Sequence, residues 1–125
     1  MARILIIEDE ANLASIMQFL LTKEGHAVEV ANDGDQGVAQ FNAKVPDLVI
    51  TDILMPGKEG LQTIQEIRGG DAKVPIIAIS GGGHTENYDF LRLPKNVGAT
   101  ESIRKPFRNH DLLALVNKCL GVPAA

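Results

Sequence analysis

The chain has no tryptophan, one tyrosine and one cysteine in 125 residues. A lone thiol, Cys119, cannot form an internal disulfide, which fits a reducing compartment. So few aromatics leave little to build the flat walls of a flavin site. No apolar run approaches the roughly 20 residues that span a bilayer. A basic excess is missing too: 12 Lys and Arg face 16 Asp and Glu, a net charge of −4. A general nucleic-acid or anionic-membrane surface is therefore not expected. The opening stretch, MARILIIEDE, is too short in apolar residues for a signal peptide and has no small-residue cleavage site. The expectation is a cytoplasmic chain, with residues 1–125 forming one domain; that length is enough for a real core.

What the chain does have is alternation. Short apolar runs occur at Ile4–Ile7, Ala27–Ala31, Leu48–Thr51 and Ile76–Ile79, with a weaker fifth near Thr100–Arg104. Three are continuously apolar and β-branched, as parallel strands covered on both faces require. Between them, Leu13, Ile16, Met17, Leu20 and Leu21 repeat along one helix face, and Gly25 stands where a C-terminal cap belongs. Val38 and Phe41 mark a second helix and Leu61, Ile64 and Ile67 a third. Leu112, Leu115, Val116, Cys119 and Leu120 mark the last. The stretch SGGGHTENYDFLRLPKNVG predicts a loop from Gly81 to about Glu86 and then a helix interrupted near Pro94, where proline removes a backbone donor. Five βα units in sequence predict an α/β sheet with helices on both sides.

Ligands of open α/β sheets bind beyond the carboxyl ends of the strands. There this sequence places Glu8 and Asp9 after the first run, Asp52 after the third, Ser80 after the fourth, and Lys105 and Pro106 after the fifth. Taken singly, each has an ordinary use. Glu8 and Asp9 suit a helix start, Asp52 an Asx turn, Ser80 a turn, and Lys105 a solvated surface. Their joint appearance after the correct strands favours a site. Clustered carboxylates repel unless a cation joins them, and Mg²⁺ takes carboxylate and phosphate oxygens. A carboxylate held by Mg²⁺ and a lysine is set up to receive a phosphoryl group. His26, His84 and His110 lack metal-ligand spacing. The triple glycine fits neither the P-loop nor the dinucleotide fingerprint.

The motifs ILIIEDE, PDLVITDILMPGKEG, PIIAISGGG and IRKPF, in this order and spacing, resemble the receiver domain of two-component response regulators over essentially the whole chain. The resemblance implies a flavodoxin-like (βα)5 fold, a doubly wound parallel five-stranded sheet of order 2-1-3-4-5. It implies a phosphorylation-activated switch of the single-domain chemotaxis type, with Asp52 accepting phosphate from a histidine kinase or histidine phosphotransfer protein. Asp9 would bind Mg²⁺ directly and Glu8 through water, and the Leu54 backbone carbonyl would be a further ligand. Ser80 would follow the phosphoryl group, Lys105 would pair with it, and the Lys105–Pro106 bond would be cis. Activity would be limited to Mg-dependent self-phosphorylation and self-dephosphorylation. The output would pass through an unidentified downstream protein, with no direct nucleic-acid or membrane contact.

Two departures bear on this. Glu8 stands where many receivers have Asp. Ser102, three residues before the lysine, stands where many have an aromatic residue that turns inward; a hydroxymethyl group cannot fill that pocket. The switch is then expected to use the Gly81–Gly83 loop and the helix bearing Pro94. Two rival classes meet specific obstacles. A phosphatase of the haloacid-dehalogenase type needs a second Asp two residues after the nucleophile, where this chain has Leu54. A degenerate scaffold would not need Asp9, Asp52, Ser80 and Lys105 together.

Overall fold

The computed structural model describes residues 2–53, 60–71, 73–80 and 98–121, with the backbone alone at 60 and 61. The elements are β1 (Arg3–Ile7), α1 (Ala11–Lys23), β2 (Ala27–Ala31), α2 (Gly34–Ala43), β3 (Leu48–Asp52), α3 (Gly60–Gly70), β4 (Ile76–Ser80), β5 (Glu101–Arg104) and α4 (Asn109–Leu120). The strands form one parallel sheet in the order β2-β1-β3-β4-β5. This is the flavodoxin-like order that the motifs implied. Asp52 and Ser80 are the final residues of their strands rather than the first beyond them, held in register with Ile79 and Arg104. The loop at Gly81–Glu86, the helix expected around Pro94, the Leu54 carbonyl and the Leu61 side chain lie outside the described residues.

Strand periodicity divides the core in two, because successive side chains leave opposite faces. Leu5, Ile7, Val49, Ile76 and Ala78 meet Phe41 of α2 and Ile64 and Ile67 of α3 on one side. Ile4, Ile6, Leu48, Ile50, Ile77 and Ile79 meet Met17 and Leu21 of α1 and Leu112 and Val116 of α4 on the other. Every residue of β3 and β4 is buried, as unbroken apolar runs require, whereas the edge strands β2 and β5 alternate or stay half-exposed. Each fully buried large side chain contributes about 1.5–3 kcal/mol.

Helix α1 departs from its expected stripe. Met17 and Leu21 are buried, but Ile16 is 51% exposed, and Ala14 takes a core position instead. The apolar arc of α1 is wider than the strip it packs, so Ile16 falls outside it. The helix stops where Gly25 adopts φ +95, a left-handed conformation that costs glycine nothing. The Gly25 amide then donates to Thr22 O and the His26 amide to Leu21 O, the paired bonds of a Schellman motif. At the start of α2, Asp33 caps the helix by accepting from the Gln36 amide at 2.8 Å.

The register of β5 matters most for the site. Arg68 of α3 donates to Gly98 O at 2.7 Å, to Val74 O and to the Thr100 hydroxyl. That hydroxyl also accepts from the Ile76 amide. Gly98 has φ +119, and a Cβ there would meet Arg68 Cγ at 2.7 Å, so only glycine lets the arginine lie across the turn. β5 thereby enters the sheet in one register. At its far end the Lys105 amide donates to Ser80 O at 2.9 Å.

Candidate functional site

The strand order leaves β1 toward β2 on one side and toward β3 on the other. The carboxyl ends of β1 and β3 therefore flank the topological switch, where open α/β sheets form their crevice. Glu8 and Asp9 follow β1 there, and Asp52 ends β3 beside them. Carboxylate oxygens of Glu8, Asp9 and Asp52 lie within 4.8 Å of one another; Glu8 and Asp52 are buried and Asp9 is exposed.

Lys105 reaches in from the end of β5. Its Nζ donates to Asp52 Oδ2 at 2.8 Å and lies 3.6 Å from Glu8 Oε1 and 3.7 Å from Glu10 Oε2. The solvated-surface reading of this lysine therefore does not apply, since its side chain is only 24% exposed. Burial alone would lower its pKa, but the hydrogen bond and charge of Asp52, with the charges of Glu8 and Glu10, outweigh that and raise it. The Lys105–Pro106 peptide bond is cis.

Glu8 is the strained member. Its Oε2 accepts from the Glu10 amide at 3.1 Å, while Oε1 is buried with no hydrogen-bond partner among the described residues. Burial, reinforced by the charge of Asp52, pushes its pKa up to about 8 against the opposing pull of the Glu10 amide and Lys105. Ser80 at the end of β4 presents a second such atom: its Oγ is buried and unpaired among the described residues. Glu8, Glu10 and Asp52 thus share one ammonium with Asp9 beside them, and two buried oxygens accept no hydrogen bond from the described residues. A hard divalent cation with oxygen ligands, such as Mg²⁺, fits this donor set.

Of the residues singled out from sequence, Glu8, Asp9, Asp52 and Lys105 converge, and Ser80 stands on the same edge one strand away. Ser102 lies within β5, opposite Ala78 and partly exposed. Glu10 and Arg68 escaped sequence reasoning. Glu10 could have been noticed as the third acid of an unbroken run; Arg68 carries no local signal for its role in β5, because the partners that tie it there, Gly98 and Thr100, are 30 and 32 residues away. A groove of about 810 Å³ opens beside Lys105, between α1 and the turn after β5, and includes Glu10, Leu13, Ile16 and Phe107.

Comparison with known proteins decides what this arrangement belongs to. The family model of the response regulator receiver domain matches residues 4–117. The chain belongs to this family. Receivers are phosphorylation-activated switches of two-component systems. The receiver is 38% identical over 120 residues to the response regulator ArlR of Staphylococcus epidermidis, covering 96% of this chain and 53% of ArlR. It is 35% identical over 114 residues to the transcriptional regulatory protein DltR of Streptococcus agalactiae, covering 91% of this chain and 50% of DltR. The chain thus spans about half the length of these curated relatives. Its fold matches the crystal structure of the receiver domain of NtrX from Brucella abortus with a TM-score of 0.86 at 30% identity, covering 96% of this chain and 99% of that one. Among the described residues of this receiver, no helix is long and apolar enough to cross a membrane.

Proposed function

We propose that Asp52 is the phosphoacceptor of this receiver and that Lys105, Ser80, Glu8 and Asp9 serve the transfer. The observation that carries this reading is the buried Asp52 carboxylate, held at 2.8 Å by Lys105 and crowded by two further carboxylates. An Asp52 oxygen attacks phosphorus as the bond to the donor's leaving group breaks, and that group departs with the bonding pair. Lys105, already paired with Asp52, transfers its ammonium to the phosphoryl oxygens. The Ser80 hydroxyl gains an acceptor for its proton. Glu8, Asp9 and Asp52 would hold Mg²⁺, with the Leu54 carbonyl a further ligand, and the ion would supply charge neutralisation at the phosphoryl group.

The donor on this reading is a histidine kinase or histidine phosphotransfer protein. The product adds about two negative charges at Asp52 and alters the surface read by a downstream protein. The receiver acts in the cytoplasm as a phosphoacceptor that also loses its phosphate, rather than as an enzyme with its own substrate. Its acidic balance supports protein contacts over direct nucleic-acid or membrane contacts.

Incubation with acetyl phosphate and Mg²⁺ should yield one base-labile phosphoryl adduct by intact mass. The adduct should disappear in Asp52→Asn and when EDTA replaces Mg²⁺. Normal labelling of Asp52→Asn would overturn the assignment.

A further inference from the structure

Glu10 occupies the N-cap of α1, yet its side chain makes no capping hydrogen bond. Acceptor side chains at this position usually turn back to the first amides of the helix. Here the carboxylate is 62% exposed and turned to the solvent side of Lys105, 3.7 Å from its Nζ. It therefore stands at the open side of the site, on the groove that reaches Lys105. No packing requirement places it there, since it is largely in solvent. What it does supply is a negative charge where an incoming phosphoryl group must approach, and a competitor for the lysine that the group needs.

We propose that Glu10 is a specificity-determining residue that holds back small free phosphodonors in proportion to their negative charge. The inference rests on the phosphoacceptor reading above. With acetyl phosphate, an Asp52 oxygen bonds to phosphorus, the P–O bond to acetate breaks, and acetate leaves with the electron pair. With phosphoramidate the P–N bond breaks, and the nitrogen, already protonated in the zwitterion, leaves as ammonia. The chemistry at Asp52 is the same, but acetyl phosphate arrives as a dianion and phosphoramidate as a monoanion. An exposed charge at the entrance acts through solvent, so its effect is modest and falls with ionic strength.

The test measures the second-order rate of phosphorylation of the whole chain with Mg²⁺ by quenched intact mass, because the chain has no tryptophan to report it. Glu10→Gln should accelerate acetyl phosphate roughly 3- to 10-fold and phosphoramidate only about 2- to 3-fold at low salt. Glu10→Lys should extend both changes in the same direction. Raising salt to about 0.5 M, where the Debye length is only about 4 Å, should shrink the difference between donors. Unchanged rates in both variants overturn the proposal. So does an equal acceleration of both donors at both salt concentrations, which would be a structural effect. If the wild-type chain takes no label from either donor, or Asp52→Asn labels normally, the phosphoacceptor reading itself fails and this inference falls with it.

Discussion

The bodies of β3 and β4 and the last residues of those same strands obey opposite rules. Within the strands every side chain is buried, and Ile50 and Ile77 pack among apolar neighbours with no polar side chain to satisfy. Two or three residues further on, the burial is just as deep, but the groups are Asp52 and Ser80, next to a buried Glu8. There a carboxylate oxygen and a hydroxyl make no hydrogen bond among the described residues, and one lysine serves several acids. The sheet body contributes stability; the rim stores unfavourable electrostatics that a bound divalent cation would relieve. A rigid apolar body is what allows the rim to remain strained, since packed strands do not shift to let water reach Glu8.

Substitutions should separate the two regions by the sign of their effect on stability. In the body, Ile50→Ala should lower the unfolding free energy by about 2–5 kcal/mol through lost burial and a residual cavity. It should leave phosphoryl incorporation intact wherever the chain remains folded. Urea unfolding followed by circular dichroism, together with intact-mass labelling, checks both halves of that statement.

At the rim, Glu8→Gln should do the reverse in EDTA. The folded-state pKa of Glu8 is raised from 4.5 to about 8, chiefly by burial. The unfolded chain therefore releases this proton at lower pH than the folded chain does, and stability declines as pH rises from about 4.5 to about 8. Glutamine cannot ionise and removes that decline. The variant should match the wild type near pH 4.5 and exceed it at pH 8 by on the order of 1–3 kcal/mol, the cost of a poorly satisfied buried group. A wild-type stability that rises relative to the variant over this interval would reverse the comparison.

The smallest effect belongs to Ser80→Ala. Removing a buried hydroxyl without a partner among the described residues should leave stability unchanged or raise it by up to about 1 kcal/mol. Phosphorylation should nevertheless slow, and a loss of stability comparable to that of Ile50→Ala would mean that Ser80 belongs energetically to the body.

Much of this was legible in the residues. The continuous apolar runs marked the buried strands, and the polar residues closing those runs marked the edge where Glu8, Asp9, Asp52 and Lys105 converge. Less legible is how wide a stripe of α1 the sheet accepts: the helical period predicts Ile16 inward, whereas it is half-exposed. Helical period says which residues share a face, but only the neighbouring surface sets how much of that face is covered. Glu10 posed a similar difficulty. Nothing local tells a helix-capping acid from one that leaves its helix for a lysine 95 positions along the chain.

By itself the sequence determined the periodicities, the order of elements and the kinds of groups at the strand ends, because these follow from local backbone preference and side-chain chemistry. Only the tertiary structure decided which of those groups share an environment. Lys105 meets Asp52 across 53 positions. That meeting depends on the register of β5, which Arg68 and Gly98 help fix from elsewhere. Charge interactions depend on distance and burial in space, and neither is set until the strands have paired.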